Sequence, residues 1–264
     1  MLNEKQSILP SYIAIKLFYL KNLFIVILFI FVIVFVFIRT ANAESVEDVI
    51  NKYIAARGGI DKLNSIDSIV FEGTTIVRGN IVPIKITQVQ GKLFRKDIRF
   101  AGNSGFTIIT PKKGWDYDPF SSYAPEEIPQ WKLQTFKNEL DILNPLVNYY
   151  SKGYKAKLLG KDILYDGECY KIQLNSGQGK ESFYFIDCKT YLLLQSREKR
   201  ESNGKTYGNS PETITNFRSY KKFSGVLFPQ IIETESAEGK VDSLLFYEIE
   251  TNIPVDEELY LPLM

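Results

Sequence analysis

The sequence predicts a mainly β, α+β fold: one curved antiparallel sheet of about eleven strands wrapped around three or four short helices. Three observations predict it. From Ser65 onward apolar residues alternate with a period of two through most of the chain, the pattern of half-buried strands. One stretch near residues 130–150 changes to a helical period. No internal repeat, linker or composition shift marks a second domain, and a sheet with one apolar side has to bury it against something.

Taken in order, Ser45 opens the first helix, with Asp48 three residues on as a variant capping box. Val46, Val49, Ile50, Tyr53 and Ile54 recur at helical spacing until Gly58-Gly59 stops them, and a short helical turn follows at Asp61 to Leu63. Ile69, Phe71, Thr75 and Val77 then share one strand face, and Val82, Ile84 and Ile86 share a face of the next. Arg78-Gly79-Asn80 supplies the turn between them. Phe94, Ile98 and Phe100, then Phe106 and Ile108, extend this meander.

Pro119 to Pro129, rich in Pro and Ser, interrupts it. Leu133, Phe136, Leu140, Leu143, Val147 and Tyr150 follow as an apolar helical stripe. Asn144-Pro145 divides the stripe into two helices, Asn as cap and Pro at the first helical position. Strands resume at Tyr154 to Leu159, Glu168 to Asn175, Glu181 to Asp187, Tyr191 to Arg200, Thr213 to Phe223, Leu227 to Glu235 and Ser243 to Glu250.

The N-terminal segment stands apart. Lys16 and Lys21 precede the unbroken apolar run Leu23 to Ile38, and Ala41-Asn42-Ala43 follows closely, the layout of an export signal. Cleavage between Ala43 and Glu44 is the expectation. It makes residues 1–43 a signal peptide and residues 44–264 one exported, periplasmic domain. The rival reading is an uncleaved anchor, although the run is shorter than the roughly 20 residues a spanning helix needs. Lysines before the run place the C-terminal side outside the cytoplasm in either case.

Composition narrows the chemistry. The formal net charge is +1 over 264 residues and turns slightly negative once the leader is removed, so nothing argues for nucleic acid. The chain has no histidine, which excludes Ser-His-Asp and Cys-His nucleophilic sites and most zinc sites. Asp116-Tyr117-Asp118 lacks the other oxygen ligands of a calcium loop, and the side chains of Ser151 and Lys152 point apart at a helix end. No catalytic residue, metal or cofactor is therefore expected. Trp115, Tyr117, Phe120 and Tyr123 cluster beside those aspartates, and read as a strand with inward aromatics in preference to a sugar- or partner-stacking patch.

The two cysteines, Cys169 and Cys188, lie in adjacent strands joined through Ser176 to Lys180. A hairpin centred between Gln178 and Gly179 sets them directly opposite each other, close enough to bridge in an exported protein. Such a disulfide would add roughly 3 kcal/mol.

Several short sequences, in this order, resemble the LolA-type outer-membrane lipoprotein-sorting proteins. They are Ala55-Ala56-Arg57-Gly58-Gly59, Gly114-Trp115, Pro119-Phe120, Leu159-Gly160-Lys161, and Asp166-Gly167 leading into Cys169-Tyr170-Lys171-Ile172. Phe185-Ile186-Asp187, Asn216-Phe217-Arg218-Ser219-Tyr220, Gly225 with Pro229, and Asn252-Ile253-Pro254 complete the set. The resemblance implies an open, strongly curved β-barrel of about eleven strands whose mouth is covered by helices. It further implies a non-enzymatic carrier whose interior holds the acyl chains of a lipid or lipoprotein, with inner- or outer-membrane delivery and acceptor proteins as partners.

Burying an acyl chain is worth roughly 0.8 kcal/mol per methylene, so such a site needs no catalytic group. Release is the harder task, and a hinged, weakly packed helical lid at about residues 129–152 would answer it. On this reading Leu133, Phe136, Leu140 and Leu143 form the lid face, and Ile69, Phe71, Ile84, Ile86, Phe106 and Ile108 line the wall. The protein is expected to be a monomer. The alternative is a scaffold for partner proteins, its interior filled by its own side chains.

Overall fold

The computed structural model describes residues 16, 18–29, 44–177, 180–199 and 212–263. Residues 18–29 are helical, and no described helix is long and apolar enough to cross a membrane. Most of the export-signal reading, including Ala41-Asn42-Ala43 and the far end of the apolar run, lies outside the described residues.

Val46–Met264 forms a compact unit. Helix α1 (Val46–Arg57) and the short α2 (Ile60–Asn64) lead into thirteen strands. The first arm of the sheet is β1 (Ser68–Val77), β2 (Asn80–Val89), β3 (Leu93–Phe100), β4 (Asn103–Ile109), β5 (Gly114–Tyr117) and β6 (Glu126–Glu127). The second is β7 (Lys155–Leu164), β8 (Gly167–Asn175), β9 (Glu181–Asp187), β10 (Leu193–Lys199), β11 (Glu212–Phe223), β12 (Val226–Glu235) and β13 (Val241–Thr251). Every pairing is antiparallel between chain neighbours except one, β1 with β13, which joins the two arms. The two strands beyond the expected eleven are β5, the strand read from Trp115 and Tyr117, whose rings lie on the outer face and not inward as expected, and the two-residue β6, too short to display a period.

Tight turns hold the meander. Arg78 and Gly79 both have positive φ, 51° and 79°, the two-residue hairpin that matches strand twist; Ala101 and Gly102 repeat it between β3 and β4. At the seam between the arms, the register of β1 on β13 shifts between Glu72 and Gly73. A Cβ on Gly73 would stand 2.1 Å from the Leu245 carbonyl oxygen, so only glycine permits that approach.

Curvature follows from the core. Ile69, Ile84 and Ile86 of the first arm share one cluster with Ile172, Tyr184 and Ile186 of the second, so the two arms face each other. The edge strands β6 and β7 do not pair, and the barrel stays open. Helix α1 plugs one half of the interior with Val49, Ile50 and Tyr53, all essentially fully buried. Its C-terminus is fastened to the second arm: Arg57 Nε donates to the Leu227 carbonyl at 3.1 Å, and the guanidinium lies 5.3 Å from the Phe228 ring. At the same end, where α2 leads into β1, Asn252 Oδ1 accepts from the Asp67 amide while its Nδ2 donates to the Ser65 carbonyl, both at 2.8 Å.

The cysteine pairing expected from the sequence needs correction. Asn175 pairs with Glu181, so the five-residue connection centres on its third residue and Cys169 faces Asp187, one short of Cys188. No disulfide joins the two. Cys169 is buried, and burial raises its thiol pKa, with Asp162 adding to the shift.

Candidate functional site

The strand faces sort the expected wall residues into two groups. Ile69, Phe71, Ile84 and Ile86 lie on the interior face and belong to, or pack on, the main core. Phe106 and Ile108 do not join them. They cluster with Leu93, Trp115 and Tyr117 on the outer face, covered by Val255, Leu259 and Tyr260 of the C-terminal segment. The inward residues of β4 are Thr107 and Ile109. The expectation had both side chains right as buried and wrong as to face, because an apolar C-terminal tail makes the outer face buried as well. Arg95 strengthens that outer seal: its Nε donates to Asp97, its Nη1 donates to the Leu259 carbonyl at 3.2 Å, and it lies over the Phe106 ring.

The segment crossing the open side departs from a hinged pair of helices. It is helical over α3 (Gln130–Leu133) and continues as a 3-10 helix, Gln134–Leu140, then runs through turns to residue 153. Asn144 has φ 70° and its Oδ1 accepts from the Leu146 amide at 2.8 Å, starting a turn; Asn148, at φ 57°, stops it after one round. This strap is firmly held. Gln88 Nε2 donates to the Glu139 carbonyl at 2.7 Å, the Gly91 amide to Leu140 at 2.8 Å, and the Ile142 amide to Gln90 Oε1 at 2.9 Å. Lys152 and Asp141 close it with an ion pair of 2.5 Å. Of the expected lid face, Leu133 and Leu140 pack with Ile109 and Ile128, Phe136 sits half-buried beside them, and Leu143 enters the main core with Leu146 and Val147.

The interior is therefore unequal. The half next to α1 is packed solid. In the other half, apolar residues of both arms point inward yet remain only half-buried: Phe71, Phe94 and Ile98 from one side, Phe217, Ile232 and Leu244 from the other. Polar groups interrupt this surface: Lys96 lies between Phe94 and Ile98 on β3, Glu198 stands on β10, and Thr215 bonds Thr234 at 3.2 Å. Glu139 of the strap feels both walls. Its side chain is open to water, yet protein surrounds it, and this burial raises its carboxyl pKa; Lys96 opposes the rise, Glu198 adds to it and Lys180 opposes it again. Deeper in, Tyr184 is buried against the core, and burial pushes its hydroxyl pKa well up.

Two concavities are present, one at each end of the interior. One, of about 420 Å³, runs between α1–α2 and the strap, lined chiefly by Ile50, Ile54, Ile60, Leu146 and Tyr149. The other, of about 300 Å³, lies on the interior face of β3–β5 at the far end, with Ile98, Phe100 and Phe120 as its apolar wall. Both sit at the lower end of the range for small-ligand sites. Among the described residues no cluster of three or more His, Cys, Asp or Glu side chains could hold a metal. Asp116 and Asp118 are engaged instead with Thr107 Oγ1, at 2.7 Å, and the Phe120 amide, at 3.0 Å.

This architecture, an open curved sheet with a helix inside and a strap across its gap, is the LolA-type fold. It superimposes on a LolA superfamily protein from Nitrosomonas europaea with a TM-score of 0.53 at 12% identity, covering 82% of this chain and 98% of that one. A DUF1329 family protein from Desulfovibrio piger matches with a TM-score of 0.50 and 11% identity, over 83% of this chain and 98% of that one. A candidate outer membrane lipoprotein-sorting protein domain from Vibrio parahaemolyticus also gives 0.50, at 10% identity over 80% and 94%. No family model matches the chain. No curated protein matches it by sequence. The likeness is one of fold.

Proposed function

We propose that this protein is a non-enzymatic carrier or binding protein for the acyl chains of a lipid or lipoprotein in the cell envelope. The observation that carries the reading is the set of half-buried apolar side chains, Phe71, Phe94, Ile98, Phe217, Ile232 and Leu244, aimed into the open half of the barrel from both arms. Leaving such side chains facing water in an interior forfeits stabilisation of about 25 cal/mol per Å² of apolar surface, and an acyl chain recovers it while gaining roughly 0.8 kcal/mol per buried methylene. Support also comes from the fold shared with the lipoprotein-sorting domain and from the export signal read in residues 1–43.

The strap, pinned to β2 by its backbone, acts as a fixed cover in this account. Ligand enters at the far end, beyond Ile98 and Phe217, where no helix among the described residues enters the interior. Acceptor or delivery proteins would meet the same end.

Native mass spectrometry of the full chain isolated from its own cell envelope tests the reading. Bound lipid, lost on mutating Phe94 and Phe217 to Asp, is the expected result. Consistently empty protein would instead favour the scaffold reading, which the solid packing around α1 supports.

A further inference from the structure

The smaller concavity at the far end carries more charge than an acyl-chain wall needs. Three cations line it: Lys96 from the interior face of β3, Arg78 from the β1–β2 turn and Lys240 from the approach to β13. None of the three makes an ion pair with a carboxylate among the described residues. Asp116 and Asp118 line the same pocket and keep their negative charges, held by neutral donors, Asp116 accepting from Thr107 Oγ1 and Asp118 from the Phe120 amide. Glu139 acts on Lys96 from the strap, beyond ion-pair distance.

Arg78 is held in an unusual way. It occupies a left-handed turn position, φ 51°, where Asn or Gly is the economical choice, and its guanidinium lies 4.9 Å from the centre of the Phe120 ring. Phe120 in turn packs on Phe100 with ring centres 5.3 Å apart. The stack orders the charge at the pocket wall, next to Ile98, where the apolar surface begins. Three cations against two aspartates leave the lining with one net positive charge, which favours an anion, and guanidinium and ammonium donors make their strongest hydrogen bonds to phosphate or carboxylate oxygens.

We propose that this pocket binds the phosphate-bearing head group of the lipid whose chains lie along the open interior face, with Lys96, Arg78 and Lys240 as its donors. The proposal rests on the carrier reading above, and makes the protein selective for anionic over uncharged lipids.

Titration calorimetry of the full chain with three soluble probes decides it: dioctanoyl phosphatidic acid, dioctanoyl glycerol and inorganic phosphate. Phosphatidic acid is expected to bind at least about tenfold more tightly than the glyceride, and K96M or R78Q to lose about that factor, the worth of a charge-assisted hydrogen bond. D116N, which keeps an acceptor for Thr107, is expected to bind phosphatidic acid more tightly than the parent. Thermal melts of the variants would show whether each is folded, and the gain in D116N does not depend on damage. Equal binding of phosphatidic acid and glyceride overturns the head-group site and leaves the acyl-chain reading standing. Tight binding of inorganic phosphate with no binding of the glyceride keeps an anion site but removes the lipid. No binding of any probe overturns both.

Discussion

The two halves of one interior behave differently although the same strands build both. Around α1, side chains from both arms interlock with Tyr53, Val49 and Leu146, all at most 1% exposed, and only the groove toward the strap stays open. Further along the same strands Ile98, Phe217 and Ile232 pack on the edge of that core and stay only half-buried, with the charged Lys96 and Glu198 on the same inner faces. What differs is the inserted element. A helix that follows the barrel axis for only part of its length divides the interior into a region that holds the fold and a region free to hold something else.

Truncation should separate them most clearly. Phe246, in the packed half, is 2% exposed, and Phe246→Ala is expected to cost about 3–5 kcal/mol of stability in a urea melt. Ile98→Ala, in the open half, should cost only about 1 kcal/mol while weakening acyl-chain binding. Similar losses at both positions would mean that the open half is a core after all.

The strap gives a smaller effect. Gln90 accepts from the Ile142 amide and donates to Asp141, so Gln90→Ala removes two hydrogen bonds and is expected to cost about 1–2 kcal/mol. Hydrogen exchange should rise at Ile142 and Gly91 and stay unchanged in β8 and β9. Exchange rising throughout would show that the strap is integral to the core.

Glu139 gives the subtlest change. Its carboxyl pKa is raised in the folded protein, so its contribution to stability is present in acid and is lost as pH rises through the folded value. Glu139→Gln should therefore stabilise the protein at neutral pH, with the difference vanishing below the ordinary carboxylate range. An unchanged pH profile would place Glu139 outside the interior.

Much of the fold was legible in the residues. The helix over Val46–Arg57, its stop at Gly58-Gly59 and the period-two meander are local patterns, and the structure keeps them. The sequences Arg57-Gly58-Gly59 and Asn252-Ile253-Pro254 turn out to be fastening points, Arg57 on the Leu227 carbonyl and Asn252 across Ser65 and Asp67.

Other features depended on distant partners. Phe106 and Ile108 alternate as an inward face would, and only the C-terminal segment, some 150 residues later in the chain, decides that they point outward. The disulfide expectation failed by one residue of register, which a five-residue turn fixes and composition does not. The stripe from Leu133 to Tyr150 had helical spacing, but Asn144 and Asn148 in left-handed conformations convert its second part to turns. The charged pocket has no local signature, because Arg78, Lys96 and Lys240 lie far apart in the chain and meet only through the pairing of β13, β1, β2 and β3.

The most direct test of the central claim is photo-crosslinking with a lipid that carries a diazirine in its acyl chain, followed by peptide mapping on the full chain. The account predicts adducts on Phe94, Ile98, Phe217 and Ile232, from both arms of the open half. Adducts confined to the groove between α1 and the strap, or none, would contradict it.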